Sequence, residues 1–471
     1  MAGTFTYNFD TSTFKVFSLA ANGLIQSDMR RLTTGKVITA ITTGSSKDVD
    51  IAADVAKAAY KASWGLKISG TERGKLLYKL ADLLERDADE FAALESLNVG
   101  KVFASAKAGD VQMTIDVFRY YAGWADKVQG KTIETNENKL AYTRHEPYGV
   151  GQIIPWNVPL LMLALKFGPA LATGNTIVLK PSEITPLTAL RFADLIIEAG
   201  FPPGVVNIVN GYGSTVGQAI TEHPLISKIA FTGSTLVGRK ILKASSESNL
   251  KVVSLELGGK SPTIIFDDAY LDQAIRWASI GIYLLNGFSG QACTAGSRIF
   301  VQEGIYDEFL AKFTVATKNL AAATGDPFAV GTQHGPQISK VQFDRIMSYI
   351  ESGKKDGATV HTGGARHGTE GYFIQPTIFT NAKPEMEIVQ EEIFGPVGLS
   401  SKVIEAGNDT AYGLACHIFS QNISRALRVA HSLEAGTAWL NCSQSVDKAV
   451  PFGGYKQSGI GRELGEYALD T

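Results

Sequence analysis

The alternation of apolar strands and single helices in the middle of the chain constrains its fold more than any other feature. Four short apolar segments, VGQIIPWN, NTIVLKPS, VVNIVNG and KIAFTG, lie between residues 150 and 233 and are separated by stretches of helical pattern. Strands joined by single helices need crossover connections, which are right-handed in nearly all proteins. The pattern therefore predicts a parallel, doubly wound sheet of the nucleotide-binding kind.

A second alternating series occupies the chain after about Gly259. It contains SPTIIF at 261–266, a helical stretch at 271–285, the strand SRIFVQ, a helix at 305–323 and, later, the strand-like WLNCS. The length supports two units, because 471 residues are several times the roughly 100 to 200 residues of one domain. The sequence thus predicts an α/β protein whose second domain starts near Gly259.

Helical and hairpin-like segments precede the first strand of the alternation. Apolar residues recur at three- and four-residue spacing over 49–97, which predicts two amphipathic helices with Thr71 as an N-cap. The helical pattern continues over 108–129. The Thr-rich segment KTIETNENKLAYTRHEPYG then predicts a β-hairpin with its turn at 136–138.

Charge and cysteine content narrow the classes of function. Lys and Arg total 44 against 46 for Asp and Glu, so no net positive field attracts nucleic acid or an anionic membrane. The sequence has no apolar run of the ~20 residues that a membrane span needs, and it starts without a signal or transit pattern. Its three cysteines suit a reducing compartment, and neither Cys nor His has metal-ligand spacing. We expect a cytoplasmic protein with a small-molecule ligand and no metal.

Two motifs at predicted strand ends favour a dinucleotide. The turn after KIAFTG places Gly233 and Gly238 between a strand and a helix, where backbone N–H groups approach a pyrophosphate. The strand NTIVLKPSE ends with Lys180, Ser182 and Glu183, and a carboxylate at this place accepts ribose hydroxyls and repels a 2′-phosphate. This favours NAD over NADP. Taken singly, the turn at Gly233 is equally typical of a glycine turn with a purely structural role. The segment at Glu183 is equally typical of a solvated Glu that caps a helix.

The segment GFSGQACTAGSR holds Cys293 among small residues, between a helical stretch and a strand. A nucleophilic thiol requires access and local dipoles that favour its thiolate, and small neighbours supply access and free backbone N–H groups. An arbitrary cysteine is more often a small buried hydrophobe, which is our interpretation of Cys416 and Cys442. The small neighbours favour a nucleophile at Cys293.

Glu256 and Asn157 are the polar residues that complete an acyl-transfer site. Glu256 lies in the apolar stretch VVSLELGG, where desolvation raises the pKa of a carboxyl group towards the range of a general base. Asn157 of IIPWNVPL offers an amide that donates to an oxyanion. The structural alternatives are a buried Glu that accepts from backbone donors and a turn Asn beside Trp and Pro.

Seven ordered motifs together resemble the aldehyde dehydrogenase superfamily, in its hydrolytic NAD(P)-dependent branch. The likeness runs from about Gly35 to Asp470 and includes IIPWN, LKPSE, FTGSTLVG, LELGGKSP, GQACTAGSR, EEIFGPV and PFGGYKQSGIGRELGEY. The resemblance implies the oxidation of an aldehyde to a carboxylic acid with NAD, or with NADP.

The resemblance also assigns roles to single residues. Cys293 looks like the nucleophile that forms a thiohemiacetal and then a thioester, Asn157 and the Cys293 N–H look like the oxyanion donors, and Glu256 looks like the base that activates water. Lys166 and Glu463 match positions linked to proton relay. The positions that match cofactor contacts are Ile153, Pro155, Trp156, Lys180, Ser182, Glu183, Gly213, Gly217, Phe231, Gly233, Ser234, Gly258, Glu392 and Phe394. The positions that match the substrate channel are apolar and favour an uncharged aliphatic or aromatic aldehyde: Val158, Met162, Leu165 and Phe452.

The fold that the resemblance implies has three parts. A Rossmann-like coenzyme domain is formed by residues 1–127 and 147–258, a small β flap by 128–146, and an α/β catalytic domain by 259–471. The flap implies a homodimer or homotetramer, although the chain stops at YALDT, where family members usually continue into a strand that completes the flap. Other departures from the family pattern are a shortened opening hairpin over 15–37, extra residues before Cys293 and a short segment after EEIFGPV.

Two other functions remain open from the sequence. An acylating enzyme would hand the thioester to coenzyme A, but such an enzyme has no need of a water-activating carboxylate at Glu256. A catalytically idle member would serve as a structural or binding protein, and the shortened segments keep this alternative open. Free acid formed without coenzyme A excludes the first alternative, and NAD binding without turnover favours the second.

Overall fold

The fold is taken from a computed structural model, in which residues 26–284, 289–401 and 405–470 are described. The helices are α1 (Ser46–Ala62), α2 (Gly70–Arg86), α3 (Ala88–Val99), α4 (Phe103–Ser105), α5 (Gln112–Trp124), α6 (Pro159–Ala172), α7 (Leu187–Ala199), α8 (Gln218–Glu222), α9 (Thr235–Glu247), α10 (Leu271–Ser279), α11 (Tyr306–Ala322), α12 (Lys340–Lys355), α13 (Glu387–Gln390) and α14 (Ile423–Ser432). The strands are β1 (Gln26–Arg30), β2 (Val37–Thr42), β3 (Thr132–Asn136), β4 (Lys139–Tyr142), β5 (Gly149–Ile153), β6 (Thr176–Lys180), β7 (Val206–Ile208), β8 (Lys228–Thr232), β9 (Val252–Glu256), β10 (Pro262–Ile265), β11 (Arg298–Val301), β12 (Thr359–Thr362), β13 (Thr377–Thr380), β14 (Val397–Ser401), β15 (Tyr412–Gly413), β16 (Ala415–Phe419), β17 (Thr437–Leu440), β18 (Tyr455–Lys456) and β19 (Gly459–Ile460).

The strands of the middle third form the first large sheet, in the order β19-β9-β8-β5-β6-β7. Its strands β5 to β9 pair in parallel, and the short β19 joins β9 antiparallel. The register places Ile153 opposite both Lys180 and Phe231, and Thr232 opposite Glu256. The carboxyl edge of this sheet therefore carries a row of residues that the sequence singled out.

The second large sheet has the order β12-β13-β14-β11-β10-β16-β17, and its pairs are parallel except β12 with β13. Its strands run from Pro262 to Leu440, whereas β19 returns to the first sheet after the second is complete. The α/β class with two mainly parallel sheets is confirmed.

The helices of the first half cover the first sheet and form the largest core cluster of the described residues. Helices α2, α5, α6 and α7 contribute Leu77, Phe118, Phe167 and Phe192, each fully buried. The Phe118 and Phe192 rings stack with their centroids 5.5 Å apart. This apolar layer fixes α6, which starts at Pro159, two residues after Asn157.

Several local predictions need correction. Residues 46–99 form three helices, not two, and Ser69, not Thr71, caps α2 by accepting a hydrogen bond from the backbone N–H of Glu72. The continuous helix expected over 108–129 starts as a π-helical turn at Ala106–Val111, before α5. Apolar spacing over such short segments does not show where one helix ends and the next begins, or where an α-helical turn gives way to a π-helical one.

The hairpin expected around 136–138 is present as β3 and β4, whose side chains are mostly exposed. A second hairpin is formed by β1, which lies in the segment where the family's opening hairpin looked shortened, and β2, which begins where that segment ends. The residues before 26 in that segment, the extra residues 287–288 before Cys293, and 402–404 after EEIFGPV lie outside the described residues.

Within the described parts of the chain, no helix is long and apolar enough to cross a membrane. Over the same residues, no group of three or more His, Cys, Asp or Glu side chains is arranged to hold a metal ion.

Candidate active site

A cavity of about 680 Å³ lies where the carboxyl edge of the first sheet faces the loop that holds Cys293. Both halves of the chain line it. The predicted residues that it brings together are Pro155, Trp156, Asn157, Gly233, Ser234, Glu256, Gly258, Cys293, Glu392 and Phe394. The predicted channel residues Val158, Met162, Leu165 and Phe452 line the same cavity.

Cys293 lies on the loop that leads into β11 and is half-buried. Burial raises the pKa of its thiol, and the negative charges of Glu392 and Glu256 raise it further. The expectation that the surroundings favour the thiolate is therefore wrong for this arrangement of side chains. The small neighbours give the thiol a place in the cavity wall, but burial, together with the two carboxylates, outweighs the local backbone hydrogen bond that lowers the pKa.

Asn157 stands at the end of the loop between β5 and α6 and is 6% exposed. Its Nδ2 donates a hydrogen bond of 3.0 Å to the carbonyl of Gln291, two residues before Cys293. The Gln291 side chain in turn accepts from the backbone N–H of Ile338 at 3.0 Å. This bond fixes the Asn157 amide beside the nucleophile loop, and an NH₂ group has a second N–H for an oxyanion.

Glu256 is the last residue of β9 and is 5% exposed. Its Oε2 is buried and has no hydrogen-bond partner. Burial raises the pKa of this carboxyl well above its usual value, Glu463 adds to the rise, and Lys166 and Arg462 oppose it. Such a carboxyl group takes up a proton readily, as a general base must.

Lys166 and Glu463 form an ion pair close to Glu256. Lys166 lies on α6, and Glu463 follows β19, so the pair connects segments 297 residues apart. The return of β19 beside β9, with Gly459 opposite Glu256, brings Glu463 to this place. The sequence predicted both residues but gave no reason for their contact.

The turn between β8 and α9 forms the next part of the cavity wall. The backbone N–H of Gly233 donates to the carbonyl of Glu256 at 3.0 Å, and the Ser234 side chain caps α9 by accepting from the Val237 N–H at 3.4 Å. The Thr232 Oγ1 is buried without a hydrogen-bond partner. The turn thus offers a helix N-terminus and a free hydroxyl to the cavity.

A second group of predicted cofactor residues lies along the same sheet edge, outside the lining of this cavity. Lys180 is 3% exposed, and its Nζ donates to the Pro181 carbonyl at 2.9 Å and to Glu183 at 3.0 Å. Burial lowers the pKa of Lys180, whereas the Glu183 charge opposes the shift. The remaining members are Ile153 and Phe231 at the ends of β5 and β8, Ser182 after β6, and Gly213 and Gly217 in a π-helical turn.

Glu392 and Phe394 approach from the second half of the chain. The Glu392 Oε1 accepts from the Gly259 N–H at 2.9 Å, and burial raises the pKa of this carboxyl to about 7. A Cβ on Gly258 would overlap the Glu392 carboxylate, so a larger residue there would displace this carboxylate from its place. Phe394 has a φ of 58° and packs edge-on against Trp156, with 5.2 Å between ring centroids. Left-handed backbone at a bulky residue is strained and clusters at functional sites.

Sequence reasoning missed several residues of the cavity wall. Among them are Thr294 and Gln444, which are hydrogen-bonded to each other, and Arg345 and Gln342 of α12. Gln342 donates to the Phe394 carbonyl at 2.9 Å. A signal for Thr294 was its position next to Cys293, but Gln444 is 150 residues away and carries no local signal.

Comparisons with known proteins agree with this geometry. The model of the aldehyde dehydrogenase family matches residues 25–471. An aldehyde dehydrogenase of Agaricus bisporus is 57% identical, with 100% of this chain and 97% of that protein covered. Human aldehyde dehydrogenase 1A1 is 52% identical over 90% of this chain and 86% of its own length.

Solved structures of aldehyde dehydrogenases have closely similar folds. An NAD+ complex of an aldehyde dehydrogenase from Bacillus cereus has a TM-score of 0.92 and 47% identity, covering 95% of this chain and 91% of that one. Betaine aldehyde dehydrogenase from Staphylococcus aureus, in complex with NAD+, has a TM-score of 0.91 and 39% identity, covering 95% and 89%. The cavity, the family match and these likenesses agree: the chain belongs to the aldehyde dehydrogenase family.

Proposed function

We propose that this protein oxidises an uncharged aldehyde to a carboxylic acid with NAD, through a covalent adduct on Cys293 that is hydrolysed by water activated by Glu256. The observation that carries the proposal is that a thiol, an amide donor and a carboxyl group with an unpartnered oxygen line one cavity. Family membership supports the oxidation, and the side chains support the hydrolytic route.

The residues along the first sheet fit a dinucleotide. The unpartnered Thr232 hydroxyl and the N-terminus of α9 offer donors to a pyrophosphate, and Glu183, with one oxygen on Lys180, offers its other oxygen to a ribose. The same carboxylate repels a 2′-phosphate, which favours NAD over NADP. When bound, NAD+ supplies the acceptor for the hydride. The similar proteins from B. cereus and S. aureus were solved with NAD+.

The proposed covalent step requires a base, because the pKa of the Cys293 thiol is raised. Glu256 takes the thiol proton, the sulfur attacks the aldehyde carbon, and the carbonyl oxygen becomes an oxyanion. The free N–H of Asn157 and the backbone N–H of Cys293 donate to this oxygen. Loss of hydride from the same carbon leaves a thioester on Cys293.

The proposed hydrolysis reuses Glu256. The carboxylate removes a proton from water, the hydroxide adds to the thioester carbon, and the C–S bond breaks to release the acid and the thiolate. Before each use Glu256 has to lose its proton, and the ion pair of Lys166 and Glu463 beside it is placed to accept and pass on the proton.

The substrate end of the cavity supports an uncharged aldehyde. Val158, Met162, Leu165 and Phe452 give an apolar wall. The acidic groups of this wall are already paired: Asp110 with the buried Lys101, and Asp116 with Lys448 at 3.6 Å. A charged substrate tail would therefore lose hydration without finding an unpaired counter-charge in these two carboxylates.

The test mixes the protein with NAD and a panel of aliphatic and aromatic aldehydes without coenzyme A, and follows NADH absorbance and free acid. We expect both products, with NADP giving a lower rate. Acyl transfer that needs coenzyme A, or NAD binding without any NADH, would replace the proposal with one of the two alternatives above.

Cys293→Ala should reduce aldehyde oxidation to background while NAD binding, measured by calorimetry, stays within about twofold, because the thiol forms the covalent bond and not the cofactor site. The matched control is Cys442→Ala, which removes a thiol outside the cavity lining and should keep its turnover. Normal turnover in Cys293→Ala would remove this residue from the mechanism.

A further inference from the structure

The loop that carries Cys293 is held from the substrate side by one glutamine. The Gln444 Nε2 donates to the backbone carbonyl of Thr294 at 2.8 Å, and the Thr294 hydroxyl donates back to the Gln444 Oε1. Both ends of the carboxamide are therefore used on the residue that follows Cys293. Thr294 is 6% exposed, so little water competes for these bonds.

The buried rings of His417 and Trp439 contact the same two segments, the Thr294 carbonyl and the Gln444 loop. The His417 Nε2 lies 3.3 Å from the Thr294 carbonyl, and its ring stacks on Trp439 with 5.2 Å between centroids. Burial lowers the pKa of His417 to about 4, so the ring is neutral, and the tautomer that fits the contact carries its proton on Nε2. The Trp439 Nε1 donates to the Ser445 carbonyl at 2.9 Å, which returns the contacts to the Gln444 loop. We call these five residues, Thr294, His417, Trp439, Gln444 and Ser445, the clamp.

The backbone of Gln444 shows that the clamp is maintained against strain. Its φ is 59°, in the left-handed region that non-glycine residues adopt at a cost. The neighbouring residues Ser443, Ser445 and Val446 line the substrate cavity, as do Thr294 and Cys293. One short loop thus forms part of the substrate wall and holds the nucleophile loop at the same time.

We propose that Gln444 is a positioning residue that sets the orientation of the Cys293 thiol through Thr294, and thereby couples the shape of the substrate wall to the reactivity of the nucleophile. The part of this inference that concerns turnover rests on the function proposed above. Asn157 and Ile338 hold the residues before Cys293 through Gln291, so loss of the Gln444 bonds releases the residue that follows the nucleophile while the preceding residues stay attached.

The test uses Gln444→Met, which keeps the length of the side chain and removes both hydrogen bonds, and Thr294→Val, which removes only the hydroxyl. Thr294→Ser keeps the hydroxyl that Thr294→Val lacks. Gln302→Met is the matched control, because the Gln302 carboxamide also joins distant segments, accepting from the Asp267 N–H at 3.0 Å, but lies outside the cavity lining. Unfolding temperatures identify variants that have lost their fold.

The first measurement is the rate of alkylation of Cys293 by iodoacetamide at several pH values, followed at that peptide by mass spectrometry. It needs no aldehyde turnover. We expect Gln444→Met and Thr294→Val to change this rate or its pH midpoint, the double variant to change it less than the product of the two single effects, and Thr294→Ser and Gln302→Met to match the original protein.

The second measurement is steady-state oxidation. Gln444→Met should lower kcat/KM for the aldehyde about ten- to a hundredfold, because small displacements of a nucleophile are costly, and leave the KM for NAD unchanged. Folded Gln444→Met with unaltered alkylation overturns the proposal. If the original protein oxidises no aldehyde, but the variants still change the alkylation of Cys293, the result supports the clamp and refutes the proposed function.

Discussion

Two carboxyl groups share the cavity with Cys293 and raise the pKa of its thiol, and they are held differently. Glu392 has one oxygen fixed by the Gly259 N–H at 2.9 Å, whereas the Oε2 of Glu256 is buried without a partner. Burial raises the pKa of both, and both raise the pKa of the thiol. Burial and a raised pKa therefore do not assign a role. The unpartnered oxygen distinguishes a group that can take a proton from a group that holds its neighbours in place.

The two groups also come from different kinds of backbone. Glu256 ends a strand that is paired on both sides, by β8 and β19, so its position is determined by the first sheet. Glu392 lies in the loop between α13 and β14, next to the strained Phe394. A base needs a rigid support, and a group that contacts a cofactor tolerates a loop.

The largest effect is expected from Glu256→Gln. The amide keeps the shape of the side chain but cannot take a proton, so kcat should fall about 10²- to 10⁴-fold. Because Glu256 also takes the thiol proton in the proposed mechanism, rapid-mixing absorbance should show slow NADH formation already in the first turnover, and mass spectrometry should show slow loss of any acyl group that forms on Cys293. An unchanged single-turnover rate of acid release would contradict the role of Glu256 and remove the contrast with Glu392.

A pH profile gives the next effect. Because the pKa of Glu256 is raised, its carboxylate form is lost at a higher pH than for an ordinary Glu, and acid release should slow as the pH falls through that raised pKa. The midpoint is obtained by measuring the rate of acid release, by stopped flow or by quenching, at a series of pH values between about 5 and 9. A midpoint at the usual Glu pKa would show that Glu256 is more hydrated than its 5% exposure indicates.

Glu392→Gln should have a smaller effect of a different kind. The amide oxygen still accepts from Gly259, so the loop is retained, and only the charge is lost. We expect the KM for NAD to rise by about ten- to a hundredfold at most, since one hydrogen bond to a charged group is worth roughly 1.5 to 3 kcal/mol, and acid release to stay normal. Accumulation of an acyl group in this variant would place Glu392, and not Glu256, in the base role.

The smallest effect concerns stability. A carboxyl group whose pKa is higher in the folded than in the unfolded state stabilises the fold at low pH, and this contribution is lost as the pH rises from the unfolded to the folded pKa. Burial of the Glu256 carboxyl is therefore less favourable at pH 8 than at low pH, and Glu256→Gln should raise the unfolding temperature at pH 8 by about 1 to 2 °C. The difference from the original protein should vanish near pH 4 in differential scanning fluorimetry, and a gain that persists there would have another cause.

The sequence predicted the elements that depend on local pattern. The alternation of strands and helices gave both sheets, and the motifs placed Asn157, Glu256 and Cys293 at strand ends or in loops that the fold brings into one cavity. The parallel pairing of β5 with β6 and with β8 places Ile153 beside Lys180 and Phe231, which explains why residues singled out separately in the sequence are neighbours in the sheet.

What the sequence did not predict depends on contacts between distant segments. Gln444 meets Thr294 across 150 residues, and Lys166 meets Glu463 across 297. Neither contact leaves a periodic trace in the chain. The raised pKa of Cys293 was missed for the same reason, because it depends on burial and on the nearby charge of Glu392, and only the complete fold produces both.

The antiparallel pairing of β19 with β9 has a consequence for how the protein is made. The Ser458 hydroxyl donates to the Gly258 carbonyl across 200 residues of chain. At a synthesis rate of about 5 to 20 residues per second, a ribosome needs roughly 10 to 40 s to cover that distance. Throughout this interval the nascent chain holds β9 as an open sheet edge beside Glu256, so the base is completed only after the whole second sheet has been translated. Until β19 is made, that open edge is a site where the nascent chain can pair with the wrong strand.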